Sequence, residues 1–409
     1  MIIGTTLPFR RGLSVIAAII LAGIIVITAR KVEAPDLFRT EAYIWQVKGT
    51  PALSASMREN ADIVHKWRVL AGRMDTQGRW WAAYPLWETL KEIERPVIAV
   101  VRIEGQLRHF DRAVLLERVD SIVTEWHNRG VTLAGIEIDF DCATSRLNDY
   151  AAFLKALRAA LPREQLSITA LPTWLGSPNL ENVLTEVDET VLQLHAVQNP
   201  TAGLFDPELA KIWMAKFAQK TKRPWYIALP TYGSRVQWDN LGRVAAIESE
   251  QSALMETEQS VNLFADPVDV QSFLKDLGHR QYKGLTGVVW FRLPTSDDRR
   301  AWSARTWRNV VQLKSLEQRF EVRIMPTDNS FLKDIVLENT GAVDTPAPSV
   351  IRLHGACSSG DGAGAYTFER YPESAVFRKD AATLFRSGEK YRIGWVRCTT
   401  KGLTFELEP

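Results

Sequence analysis

Three carboxylates alternate in the segment LAGIEIDFDC, residues 133 to 142: Glu137, Asp139 and Asp141. Strand side chains point to opposite faces in turn, so these three share one face. Ile136, Ile138 and Phe140 share the other. Same-face neighbours on a strand stand about 6.6 Å apart. In a poorly solvated interior three like charges at that spacing cannot all ionise freely, and at least one holds a proton near neutral pH. A carboxyl kept protonated beside an ionised one is what acid-catalysed cleavage of a glycosidic bond requires. The bland alternative is a solvated acidic face, which weakens if both faces of the strand are covered. Three ligands on one straight strand do not converge on an ion, which argues against a metal centre.

Weaker candidates surround this segment. Glu104 follows an apolar run, Val97–Ile103, and belongs at the same mouth if that run is a neighbouring barrel strand. Paired with Asp141 at about 5–10 Å, it would make a two-carboxylate glycosidase; a solvated glutamate paired with Arg102 is the plainer reading. Asp75 has the same standing. The chain holds 14 Trp. Trp45, Trp174 and Trp290 fall at or beside strand ends, where a flat ring with an N–H suits a sugar face. Tyr232 follows a strand and is a hydrogen-bond donor there, and Tyr43 and Trp45 alternate on the first strand. His195 is a donor or a structural histidine. Cys142 has the parity of Phe140 and reads as a small buried hydrophobe. No G-x-S-x-G elbow or HExxH helix is present. Nothing points to an organic cofactor.

The elements that must position these residues alternate in type from about residue 40 to 314. Short β-branched or aromatic runs read as strands over 42–46, 68–73, 96–103, 133–140, 166–171, 190–197, 225–229 and 287–291. Amphipathic stretches read as helices over 54–66, 112–128, 145–160, 206–219, 267–277 and 302–313. Eight strands with intervening helices give the rhythm of an α/β fold, a (β/α)8 TIM-type barrel. A doubly wound sheet competes, but no Gly-rich phosphate loop follows the first strand. Residues 315–409 offer short strands separated by DTPAPS and SSGDGAG, which suggests a small β-sandwich. Cys357 and Cys398 lie in it near strand ends and would pair in an oxidising compartment.

Residues 12–29 carry no charge, with basic residues on both sides and a basic flank at 1–11. The segment reads as a signal anchor or a signal peptide, followed by a linker over 30–39. Cleavage after Ala29 would put the large Ile27 three residues before the cut, which favours the anchor. Both readings export the rest of the chain to the periplasmic or extracellular side of a cell envelope, tethered to a membrane in the first case. Fifty basic residues against 48 acidic ones leave a net charge of +2 over 409 residues. That balance gives no electrostatic case for nucleic acid. A hydrophobic share of 46% excludes a disordered scaffold.

Residues 134–141 resemble the DGxDxDxE signature on the fourth strand of chitinase-like barrels, glycoside hydrolase family 18. The segment 227–233, IALPTYG, is similar to that family's GLPxYG stretch. Gly287-Val288-Val289-Trp290 resembles its eighth strand, whose Trp floors the sugar subsite. The whole chain resembles the domain of unknown function 3142 family. The resemblance implies a glycan ligand, with Asp141 as acid, Asp139 orienting the substrate and Glu137 supporting Asp139. The pattern departs at Ala134, Glu137 and Asp141, which stand where the family has Asp, Asp and Glu, and at Gln193-Leu194-His195, where it has Met-x-Tyr-Asp. The shorter acid withdraws the proton by about 1.5 Å. The expected function is therefore a glycoside hydrolase acting on an envelope or extracellular glycan, with a non-catalytic carbohydrate-binding or scaffold protein as the alternative.

Overall fold

The computed structural model describes residues 38–107, 111–195, 203–239, 244–248, 260–327, 331–379, 384–399 and 402–408. The apolar segment 12–29 and its flanks lie outside them. Among the described residues no helix is long and apolar enough to cross a membrane.

Eight strands form the first architecture: β1 Arg39–Ile44, β2 Lys66–Met74, β3 Val97–Ile103, β4 Leu133–Phe140, β5 Gln165–Ala170, β6 Glu189–Gln193, β7 Trp225–Pro230 and β8 Leu285–Phe291. All neighbouring pairs are parallel, and β1 pairs with both β8 and β2, so the sheet closes on itself. A helix follows each strand: α1 Pro51–Asn60, α2 Trp87–Ile93, α3 Arg112–Asn128, α4 Leu147–Ala160, α5 Leu180–Thr185, α6 Pro207–Lys220, α7 Pro267–Gly278 and α8 Ala304–Val311. This is a (β/α)8 barrel.

Local chemistry sets the helix starts. Asp111, Asp206 and Asp266 accept backbone N–H groups at the heads of α3, α6 and α7. Pro207 and Pro267 occupy first-turn positions, where no N–H is needed. The first helix begins earlier than the sequence pattern suggests, because Thr50 caps it and Pro51 opens it. It stops at Asn60, since Lys66 already belongs to β2. The strands' outward residues pack under the helices in one continuous core that includes Ile136, Ile138, Phe140, Trp174, Trp290 and Trp307.

An antiparallel three-stranded sheet of Gly233–Trp238, Val244–Glu248 and Ser260–Phe264 follows β7. The sequence analysis assigned no element there.

From Phe320 onward two four-stranded antiparallel sheets form a β-sandwich. Its core includes Ile335, Leu337, Ile351, Phe377, Ile393 and Val396. The stretch after Cys357, read as a turn cluster, is the strand Cys357–Gly362. Gly360 is glycine because a Cβ there would sit 2.5 Å from the Phe368 ring. Strand Ser374–Lys379 pairs with Val350–His354 in one of the sheets. Cys357 and Cys398 face each other in register and form a disulfide.

The sandwich is clasped to the loop after β8. Asp344 accepts from the Ser303 and Thr306 hydroxyls at the head of α8, both at 2.8 Å. Arg386 donates to the carbonyls of Ser296, Asp298 and Ala301.

Candidate active site

The inward faces of the barrel strands and the loops after them converge on a cleft of about 490 Å³ at the C-terminal end of the barrel. Barrel catalysis characteristically occupies that end, where loops from several strands meet. Trp45, Arg102, Glu104, Asp139, Asp141, Gln193, His195, Tyr232 and Phe291 are among its lining residues.

Asp141 and Asp139 share one cation. Arg102 donates from Nη1 to Asp139 Oδ2 at 2.8 Å and from Nη2 to Asp141 Oδ2 at 2.7 Å. Asp139 Oδ1 accepts from Thr169 Oγ1 at 2.5 Å and, more loosely, from Gln193 Nε2 at 3.4 Å. Asp139 is therefore bound on both oxygens. Asp141 is not: its Oδ1 is buried and accepts no hydrogen bond among the described residues. Burial and the neighbouring Asp139 raise the Asp141 carboxyl to about 6, with Arg102 acting against them. The shift falls on the third carboxylate of the alternation, just past the end of β4.

Glu104 borders the same cleft, with its side chain 39% exposed and an ion pair to Arg102 Nη2 at 3.7 Å. Gly105 brings it there. A Cβ on Gly105 would lie 2.0 Å from the Asp141 carbonyl oxygen, so only glycine lets the β3 loop press against the end of β4.

Glu137 does not reach the cleft. One pleat deeper, it accepts from Tyr43 OH at 2.7 Å and Ser167 Oγ at 2.8 Å, and it pairs with Arg68. Arg68 also binds Glu41 at 2.7 Å and Glu189 at 2.5 Å. The four groups make a fully buried ionic layer inside the barrel. Glu137 therefore supports Arg68 and Tyr43, not Asp139, and the catalytic part expected of it is corrected to a structural one.

The aromatic assignments divide. Trp45 and Tyr232 line the cleft. Trp290 does not. On β8 it has the parity of Val288, and it packs outward against Trp302 and Trp307. Phe291, one residue on, faces inward and stands 5.0 Å from the Trp45 ring. Trp174 is also in the outer core, where its indole N–H donates to the Cys142 carbonyl at 2.9 Å. His195 is in the cleft wall and stacks on Phe291 at 4.9 Å. Burial lowers its imidazole to about 4, so it is neutral and serves as a hydrogen-bonding wall, near Tyr232 OH at 3.4 Å. Asp75 holds its own turn by accepting from Gln77 N and Arg79 N, outside the cleft. Cys142 is buried, and burial pushes its thiol up to about 12.

Arg102, Thr169, Gln193 and Phe291 escaped the sequence reading as site residues. Strand parity carried the signal: Val100 and Arg102 share a face of β3, as Ser167 and Thr169 do on β5. What hid them was that each is a single polar or apolar residue in an ordinary strand. Among the described residues no group of three His, Cys, Asp or Glu is arranged to hold a metal ion.

Several solved structures are similar at low identity. The spore cortex-lytic enzyme SleL of Bacillus cereus shares 14% identity over 68% of this chain and 74% of that chain, with a TM-score of 0.49. A chitinase from Chromobacterium violaceum shares 14% over 67% of this chain and 98% of that chain, at 0.46. A chitinase from Bacteroides thetaiotaomicron shares 11% over 63% of this chain and 89% of that chain, also at 0.46. No curated protein matches the chain. Residues 322–399, in the sandwich, match the family described as Domain of unknown function (DUF8456). Residues 93–296, which hold β3 to β8 and every carboxylate of the cleft, match the family described as Domain of unknown function (DUF3142).

Proposed function

We propose that the barrel is a glycoside hydrolase acting on an envelope or extracellular glycan, with Asp141 as the general acid. The observation that carries this reading is Asp141 itself. Its carboxyl is raised to about 6, and one oxygen is buried without a hydrogen-bond partner among the described residues, at the edge of an aromatic-walled cleft. An acid of that strength is protonated enough near neutral pH to protonate a leaving oxygen. Trp45 and Phe291 offer flat apolar surface for a sugar ring, and Tyr232 and His195 offer hydrogen bonds beside it. The ordered resemblance of 134–141 and 227–233 to chitinase-like segments supports the same class. The Cys357–Cys398 disulfide supports an oxidising compartment, in keeping with export and a tether through residues 12–29.

A second reading is a non-catalytic glycan binder. Arg102 favours it, because its contact with both Asp139 and Asp141 resists proton transfer until substrate displaces it.

The test is incubation of the full chain, in mild detergent, with N-acetylated and neutral oligosaccharides. Products are read by mass spectrometry, with Asp141→Asn run in parallel. Cleavage by the native chain that Asp141→Asn lacks supports the hydrolase. Ligand-dependent tryptophan fluorescence without product supports the binder. Equal cleavage by both proteins removes Asp141 from the chemistry.

A further inference from the structure

Substrate-assisted hydrolysis would need Asp139 free to turn toward the sugar's acetamido N–H. In this chain it is held on both sides, by Thr169 and Gln193 on Oδ1 and by Arg102 on Oδ2. A different carboxylate is available. Glu104 opens onto the cleft, and among the described residues its carboxylate has only the loose 3.7 Å ion pair with Arg102 Nη2. The same nitrogen lies 2.7 Å from Asp141 Oδ2. The Glu104 and Asp141 oxygens are therefore separated by no more than those two lengths laid end to end. Retaining glycosidases hold their two carboxyls about 5–5.5 Å apart, and inverting ones about 6.5–9.5 Å. That oxygen–oxygen limit admits the retaining spacing.

The approach is fixed by the fold. Gly105 presses on the Asp141 carbonyl with no room for a side chain. Glu104 N donates to the Met74 carbonyl at 3.0 Å, and its own carbonyl accepts from Leu107 N at 3.0 Å. Arg146 in turn donates to the Leu107 carbonyl at 2.9 Å. These ties hold the Glu104 backbone beside the end of β4 while leaving its side chain in the cleft.

We propose that Glu104 is the nucleophile of this site, so that hydrolysis passes through a glycosyl ester and the reacting sugar needs no 2-acetamido group. The inference rests on the hydrolase reading above. In the first step a Glu104 oxygen forms a bond to the anomeric carbon as the glycosidic C–O bond breaks. The Asp141 proton goes to the leaving oxygen. In the second step water attacks the anomeric carbon and gives a proton to the Asp141 carboxylate. The ester C–O bond breaks, and Glu104 leaves as the carboxylate. The net result is hydrolysis with retained configuration, and both residues return to their starting states. Arg102 lies between the two groups, with Nη2 3.7 Å from Glu104 and 2.7 Å from Asp141.

The test uses the full chain with Glu104→Ala and Glu104→Gln on the same oligosaccharide panel, with and without sodium azide. The expected result is a fall in kcat of at least about a thousandfold in both variants. Azide should restore turnover to Glu104→Ala, giving a glycosyl azide of inverted configuration. A residue that merely shapes the loop would not be rescued by a small anion. The proposal is overturned if both variants cleave at the native rate. It is equally overturned if the loss occurs without azide rescue, or if the native chain cleaves only beside 2-acetamido sugars. If the native chain cleaves nothing, the hydrolase reading has failed first, and that outcome is distinguishable from the other three.

Discussion

Arg102 Nη2 lies 2.7 Å from Asp141 Oδ2, while the other oxygen of Asp141 is buried without a hydrogen bond among the described residues. One carboxyl is thus half neutralised and half exposed to a low-polarity environment. Burial and Asp139 push its pKa up and Arg102 pulls it down. The outcome is a group poised between two roles, and its titration is directly measurable.

Hydrolysis that needs Asp141 protonated should weaken as pH rises through about 6. Arg102→Gln removes the cation that lowers this pKa, so the alkaline limb of kcat should move to higher pH. A limb that moves to lower pH, or does not move, would contradict the assignment. Stability has its own sign. The folded carboxyl titrates near 6 against an ordinary value of 3.8, so Asp141 contributes stability below 3.8 that is lost as pH rises through 6. Asp141→Asn should flatten the thermal-unfolding midpoint across that window.

The buried ionic layer predicts a large stability effect remote from the chemistry. Arg68 is the shared partner of Glu41, Glu137 and Glu189. Arg68→Met would leave Glu137 without its cation and leave Glu41 and Glu189 only the looser Lys66 contacts at 3.5 and 3.8 Å, at a cost of about 3–5 kcal/mol. Urea denaturation measures it. A loss under about 1 kcal/mol would show that the glutamates take up protons at little cost.

Trp45 and Trp290 should separate binding from packing. Trp45→Ala removes a cleft ring and should weaken oligosaccharide binding by roughly tenfold, equivalent to about 1.4 kcal/mol. Trp290→Ala opens the outer core and should cost about 3–5 kcal/mol of stability. Fluorescence titration and thermal unfolding of both variants decide the matter. Comparable binding losses from Trp290→Ala in a folded protein would mean that the cleft extends beyond its described walls.

The Cys357–Cys398 bond joins residues 41 apart in sequence. A loop of that size makes the crosslink worth about 2–4 kcal/mol. Reductant should lower the unfolding midpoint of the sandwich. Alkylation of the denatured chain without reductant should modify Cys142 and neither of the paired cysteines, as read by intact mass.

The sequence by itself determined the period-two alternation on β4, the strand–helix rhythm of the barrel and the inward set Glu137, Asp139 and Asp141. These are local properties: a strand alternates whatever it packs against, and an apolar face of Ile136, Ile138 and Phe140 can only turn toward a core. Which member of the set became the acid was decided by partners from other strands. Arg68 from β2 and Tyr43 from β1 claimed Glu137, and Thr169 from β5 and Gln193 from β6 claimed Asp139. Asp141, past the last ladder pair of β4, kept one oxygen without a hydrogen bond among the described residues. Trp290 and Phe291 show the same division. Their adjacency was plain in the sequence, but a one-residue parity, fixed only by the pairing of β8 with β1 and β7, sent the indole to the core and the phenyl ring to the cleft. Glu104 met Asp141 through the close approach at Gly105, a contact between two loops that no spacing along the chain encodes.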